Sequence, residues 1–154
     1  MKNNKEKKMK KELTNNLNKY LANLGVLYIK LHNLHWNVVG INFKAIHEYY
    51  ETLYDGISAS LDSVAEIIKM HEQTPLATLK SYLEASDIKE LESSEIDSKK
   101  SLKIVLEDFI KMKSLIEQIR KDADQEDLYD IVTLMENDLE QYTKAIWFIR
   151  AMLK

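Results

Sequence analysis

The chain has 154 residues, a formal net charge of −3, 45% hydrophobic and 31% charged residues, and no cysteine. That length suits one domain with a sizeable core, and the lack of thiols excludes disulfides, thiolate catalysis and cysteine-held zinc or iron–sulfur groups. Three glycines and one proline are too few breakers for a turn-rich β fold and point to long helices. No apolar run is long enough to cross a bilayer, and no signal-peptide core follows the cationic start, so a cytoplasmic protein with no membrane role is expected.

Residues 1–11 read as a disordered, lysine-rich tail carrying Lys2, Lys5, Lys7, Lys8, Lys10 and Lys11. Residues 12–154 then form a single domain. A helical period begins at Leu13 and continues through Leu17, Leu21, Leu24, Leu27, Leu31 and Leu34, predicting a first helix that ends near Gly40. Asn42 can cap a second helix from Phe43 to His71, and Pro75 bars its continuation. Residues 72–97 are polar and irregular, except for an apolar cluster at Leu76, Leu79, Tyr82 and Leu83 that predicts a short helix. The third helix runs from Ser98 to Arg120 on a stripe containing Leu102, Val105, Phe109, Met112, Ile116 and Ile119. Asp124 can cap the fourth, whose stripe includes Ile131, Met135, Leu139, Tyr142, Ile146 and Ile149. No strand signal is present. The expected fold is all-α: a ferritin-like four-helix bundle with a short extra helix in the long connection between the second and third helices.

Three of the four histidines fall between positions 32 and 47, and carboxylates follow in the second helix. His47 and Glu51 are spaced i,i+4, as are Asp62 and Glu66, so each pair shares a helix face. At about 100° per residue all four lie in one sector. His35 precedes the turn that folds the first helix back on the second. Glu51 and Asp62 are eleven residues apart, roughly 16 Å along the axis, whereas metal ligands must lie within about 2.0–2.6 Å of the ion. One chain therefore cannot close its two pairs on one ion. Two copies of the second helix can do so if they run antiparallel and cross near Gly56 and Ile57, where Gly56, Ser58, Ala59 and Ser60 are small. The resulting two-fold axis makes two equivalent sites, each built from both chains. Imidazole with carboxylates suits a redox metal such as iron better than calcium or magnesium. Any one such pair is common as surface charge; the agreement of face, spacing and small-residue midpoint favours a metal site.

At these residues the chain resembles the Dps family, miniferritins known as DNA-binding proteins from starved cells. The matching features are L-H-N-L-H-W at 31–36, N-V-V-G at 37–40, N-F at 42–43, H-E at 47–48 and D-x-x-x-E at 62–66. Further matches are Y-L-E-A-S at 82–86 and I-W-F-I at 146–149. The resemblance covers the chain after the tail. It implies a homododecamer built from two-fold dimers, whose intersubunit centres oxidise ferrous iron, commonly with hydrogen peroxide rather than dioxygen. The ferric product is stored inside the shell, which protects against oxidative stress. Carried over, the catalytic and metal-binding residues are His35, His47 and Glu51 from one subunit with Asp62 and Glu66 from the other. Glu51 departs from the aspartate that many members have there. Trp36 is either a sink for oxidising equivalents or interface packing.

In the family, acidic residues near the start of the fourth helix line pores through which iron enters. Here that segment holds Asp122, Asp124, Glu126, Asp127 and Asp130; the alternative is ordinary capping. The tail lysines, repeated around a shell, can hold DNA phosphates without reading sequence and so place the protein on the nucleoid. The alternative is a solubilising tail. His32 and His71 are assigned structural or surface roles. Two other functions compete with iron storage: a DNA-compacting shell with secondary iron chemistry, and a metal-free helical interaction protein.

Overall fold

The computed structural model of the protein describes residues 9–154. The leucine period of the first helix becomes α1 (Lys11–Asn37), in which all seven predicted leucines are buried. Val38–Val39 forms a two-residue strand, β1. Gly40 follows with φ +128°, a conformation that side chains on L residues rarely adopt. This turn reverses the chain into α2 (Phe43–Met70). Asn42 stands at its N-cap as expected, but its side chain makes no capping hydrogen bond.

The short helix α3 (Leu79–Ala85) begins at a capping box in which Ser81 N donates to Thr78 Oγ1 at 3.1 Å and Thr78 N to Ser81 Oγ at 3.2 Å. The chain then passes through β2 (Ile96–Asp97) into α4 (Ser98–Gln125), where Asp97 accepts from Lys100 N. The last helix is α5 (Tyr129–Met152). α1 packs along α2, α4 along α5, and α1 also meets α4, while α3 lies across α1. One continuous core of leucine, isoleucine, valine, tyrosine and methionine side chains fills the bundle.

Three expectations are corrected. Asp124 does not cap the last helix: α4 continues to Gln125, and Leu128 is the N-cap of α5, with no side-chain bond. Ala123 O accepts from Leu128 N, and Asp127 takes a left-handed φ of 57° to close the corner. The first helix ends at Asn37 rather than near Gly40. A strand pair does exist: β1 and β2 are parallel, Val38 opposite Ile96 and Val39 opposite Asp97. The long crossover makes parallel pairing natural, since it returns the chain in the same direction.

The crossover is fastened to α1 by asparagines. Asn23, buried, donates to Asp87 Oδ1 at 2.8 Å and accepts from Ser86 Oγ and Asp87 N. Asn18 accepts from Leu76 N, and Asn33 donates to the carbonyls of Leu91 and Glu92. Packing against the bundle reaches further back than the leucine period suggests: Met9 is buried, and Lys10 N donates to Glu126. The tail lysines Lys2, Lys5, Lys7 and Lys8 lie outside the described residues. Among the described residues, no helix is long and apolar enough to cross a membrane.

Candidate metal centre

His35 stands in the last turn of α1, and His47 lies early in α2, brought opposite by the turn at 38–42. Their rings stack with centroids 3.6 Å apart and planes 16° apart. Each ring also bonds to the other residue's main chain: His35 Nδ1 lies 2.7 Å from His47 O, and His47 Nδ1 lies 2.7 Å from His35 O. A carbonyl oxygen only accepts, so both Nδ1 atoms carry the proton. In the neutral ring each Nε2 then keeps its lone pair, and among the described residues neither has a partner. Fixing the tautomer through the other ring nitrogen is how proteins prepare imidazole for a metal. His35 is buried and His47 half-buried, so the pair opens to one side of the α1–α2 layer.

Glu51 follows one turn after His47 and is exposed. Tyr54 was not singled out from the sequence, although it lies seven residues after His47 on the adjoining edge of the same face. It meets His35 edge-on at 5.3 Å and stacks on His32 at 3.8 Å. Desolvation, reinforced by the Glu51 and Asp55 charges, pushes the Tyr54 phenol up and keeps it neutral. His32 is held by Tyr28 O at 2.8 Å and lies 5.3 Å from Trp36, which is 67% exposed. An aromatic cluster therefore adjoins the histidine pair.

Asp62 and Glu66 lie further along α2 on the same outward side, both exposed, and the chain does not bring them to the histidines. Among the described residues, no three histidine or carboxylate side chains gather closely enough to hold a metal ion. One chain presents the candidate residues as two separated groups, His35, His47 and Glu51 apart from Asp62 and Glu66. Gly56 has no heavy atom within 4 Å of where a Cβ would stand, so nothing in its own chain requires glycine there.

The acidic segment at the α4–α5 corner is engaged within the chain. Asp122 accepts from Gln118 Nε2 at 2.8 Å, Asp124 from Arg120 at 3.3 Å, and Asp127 from Tyr129 OH at 3.2 Å. Asp130 pairs with His71 at 2.8 Å. Glu126 is buried and accepts from Lys10 N. Asp122 and Asp124 sit in the last turns of α4 rather than at the start of the next helix. Lys10 and Lys11 are exposed at the foot of α1.

Two buried polar groups were also missed, because lone charges inside apolar stripes carry no periodic signal. Lys30 pairs with Asp108 between α1 and α4, and burial still pushes the Asp108 carboxyl up. Asp138 accepts from Tyr20 OH at 2.6 Å and from Ser60 Oγ at 3.2 Å. Burial raises its pKa despite these bonds.

A four-helix bundle with a long crossover, and a histidine–carboxylate face on its second helix, defines a ferritin-like protein. The family model of the ferritin-like domain matches residues 14–154. A DNA protection during starvation protein of Brevibacillus brevis is 37% identical over 141 residues, covering 90% of this chain and 92% of that protein. The crystal structure of a Dps protein from Bacillus brevis superposes with TM-score 0.88 at 33% identity, covering 95% of this chain and 100% of that one. A Dps protein from Vibrio cholerae O1, described as a member of a broad superfamily of ferritin-like diiron-carboxylate proteins, gives TM-score 0.88 at 29% identity. That match covers 93% of this chain and 89% of the Vibrio chain. The chain belongs to the Dps family of ferritin-like proteins.

Proposed function

We propose that the protein is a ferroxidase and iron-storage miniferritin. Ferrous iron, its substrate, binds between two antiparallel copies of α2. His35, His47 and Glu51 come from one subunit and meet Asp62 and Glu66 of the partner subunit. The observation that carries this reading is the reciprocal histidine clasp. Two Nε2 lone pairs are held ready at the protein face, and among the described residues no third ligand of the same chain reaches them. An antiparallel neighbour supplies the carboxylates by the same two-fold operation that takes this chain's Asp62 and Glu66 to the neighbour's histidines. Hard carboxylate oxygens favour the ferric state, so they promote loss of an electron from the bound ion. Hydrogen peroxide or dioxygen accepts the electrons, and the ferric product collects on the interior of a twelve-subunit shell in the cytoplasm. Storage in this form removes the reactants of oxidative damage. Trp36 and Tyr54, packed against the site through His32 and His35, are placed to take up stray oxidising equivalents.

Replacing both His35 and His47 with Ala is expected to slow iron oxidation to near the uncatalysed rate while the shell still assembles. Undiminished oxidation by an assembled variant would remove the proposed site.

A second property is supported by the relatives' names and the lysine content of the start of the chain: sequence-independent DNA binding through residues 1–11, on the nucleoid. Affinity should fall steeply with salt as released counterions demand. Deletion of residues 1–11 should abolish gel retardation of DNA at low salt, and full-length protein that never retards DNA would end this reading. Iron entry through pores at the α4–α5 corner remains part of the proposal for Asp124, Asp127 and Asp130, which are exposed. Asp122, half-buried, and Glu126, buried, contribute to the corner's structure.

A further inference from the structure

Between α2 and α5 the bundle surface opens into a cleft of about 310 Å³. Ile57, Phe109, Tyr142 and Ala145 line it and are buried, so they form its floor. Thr52, Gly56 and Gln141 line it and are exposed, so they stand at its mouth. The space exists because small residues meet there: Ser60 and Gly56 on α2 face Ala145 on α5, where leucines would fill the gap. Glycine within a helix is normally disfavoured. A Cβ at position 56 would meet no heavy atom within 4 Å. Packing inside the chain therefore does not call for glycine there, whereas an unobstructed mouth does.

The lining sets the chemistry of what can enter. Among the described residues no acidic or basic side chain faces the cleft, so an ion would lose its water without gaining a counter-charge. Behind Ser60 stands Asp138, already taken up by Ser60 Oγ at 3.2 Å and Tyr20 OH at 2.6 Å. The floor is aromatic: the Phe109 and Tyr142 rings meet edge to face, with centroids 4.9 Å and planes 62° apart. Such a floor suits a further ring laid against it. The Tyr142 hydroxyl is buried close to Tyr20 and Asp138, yet among the described residues it completes no well-formed hydrogen bond. A buried polar atom left in that state is uncommon and costly. Burial pushes this phenol up, so it keeps its proton and can donate to an oxygen that enters. An enclosed apolar cavity of about 150 Å³ takes benzene; this cleft has about twice that volume and suits one or two fused rings.

We propose that the cleft between α2 and α5 binds an uncharged aromatic molecule of one or two rings that carries an acceptor oxygen, a phenol or a quinone. Its ring lies on Phe109 and Tyr142, and its oxygen accepts from the Tyr142 hydroxyl. At 100° per residue, Gly56 stands about 120–140° round α2 from Glu51 and Asp62. The cleft thus opens away from the candidate ligands, and the site does not depend on the metal reading.

The test is calorimetric titration of the assembled full-length protein with three probes: 2-naphthol, naphthalene and 2-naphthoate. 2-Naphthol should bind saturably at one per chain. Naphthalene, which lacks the oxygen, should bind about fivefold more weakly, the worth of one neutral hydrogen bond, and the anionic 2-naphthoate should not bind. Tyr142→Phe keeps the ring and removes only the hydroxyl; it should weaken 2-naphthol about fivefold and leave naphthalene unchanged. Ala145→Leu fills the floor and should abolish binding of both. The proposal is overturned if the wild type shows no saturable binding of 2-naphthol, if 2-naphthoate binds as tightly, or if Ala145→Leu binds as the wild type does. Should Ala145→Leu fail to fold, Tyr142→Phe decides, and undiminished affinity for 2-naphthol in that variant overturns the proposal.

Discussion

Asn23 offers a quantitative test of how the crossover is held. Its amide makes three hydrogen bonds to Ser86 and Asp87 from a buried position. Each is worth about 1 kcal/mol net. In Asn23→Ala, Asp87 keeps its contact with Lys19 and recovers water, so the loss should be about 2–3 kcal/mol. Most of that should appear as easier local opening of the crossover rather than of the whole bundle. At tenfold per 1.4 kcal/mol, amide exchange at residues 79–88 should accelerate roughly 30- to 150-fold, with the core of α1 and α4 little changed. Asn23→Asp sharpens the test. Burial works against the Asp87 charge, but Lys19 and Asn23 together hold that carboxyl below its usual value. Putting a second carboxylate where the Asn23 amide donates reverses this support. Exchange in Asn23→Asp should exceed that of the Ala variant at neutral pH and slow again as acidification lets the two carboxyls share a proton. Unchanged exchange over 79–88 in both variants would refute the claim that asparagine holds the crossover.

Other outcomes follow from the buried charges. Lys30→Met leaves Asp108 buried without its cation and should cost about 3–5 kcal/mol, while pairing it with Asp108→Leu should recover most of that; denaturant titration measures both, and a double variant no more stable than the single would contradict the pairing. Asp138 has a raised carboxyl pKa, so its charge penalises the folded state above that raised value, and the penalty fades as pH falls toward the unfolded value near 3.8. Asp138→Asn should therefore gain stability over the wild type at pH 7, with the gap closing by about pH 4. A gap that widens on acidification would contradict the sign.

Much of this architecture could be read from residue order because it is periodic. The seven leucines of α1 recur at helical spacing, and each is buried. The histidine pair was legible for a related reason: the motif that carries it also contains the turn that stacks the two rings. What escaped notice is not periodic. Asn18, Asn23 and Asn33 stand at positions where a helical stripe predicts nothing in particular, yet they anchor the crossover. A two-residue strand such as Val38–Val39 is too short to show alternation. Asp124 misled because a carboxylate is an ordinary helix start; here it lies in the last turn of α4, against the helix dipole, and Arg120 compensates it while also bonding Glu136. Tyr54 shares the spacing of His47 and Glu51, but a tyrosine at helical spacing carries no sign of its own that separates a site residue from a packing one.

The central claim is that each metal centre takes its histidines from one chain and Asp62 with Glu66 from another. Complementation measures this directly. One variant carries His35→Ala and His47→Ala; the other carries Asp62→Asn and Glu66→Gln. Each alone should oxidise ferrous iron at background rate. Co-assembled in equal amounts, half of the pairs are mixed, and each mixed pair regains one of its two sites, so activity should return to about a quarter of the wild-type rate. A mixture no more active than either variant alone would contradict the account.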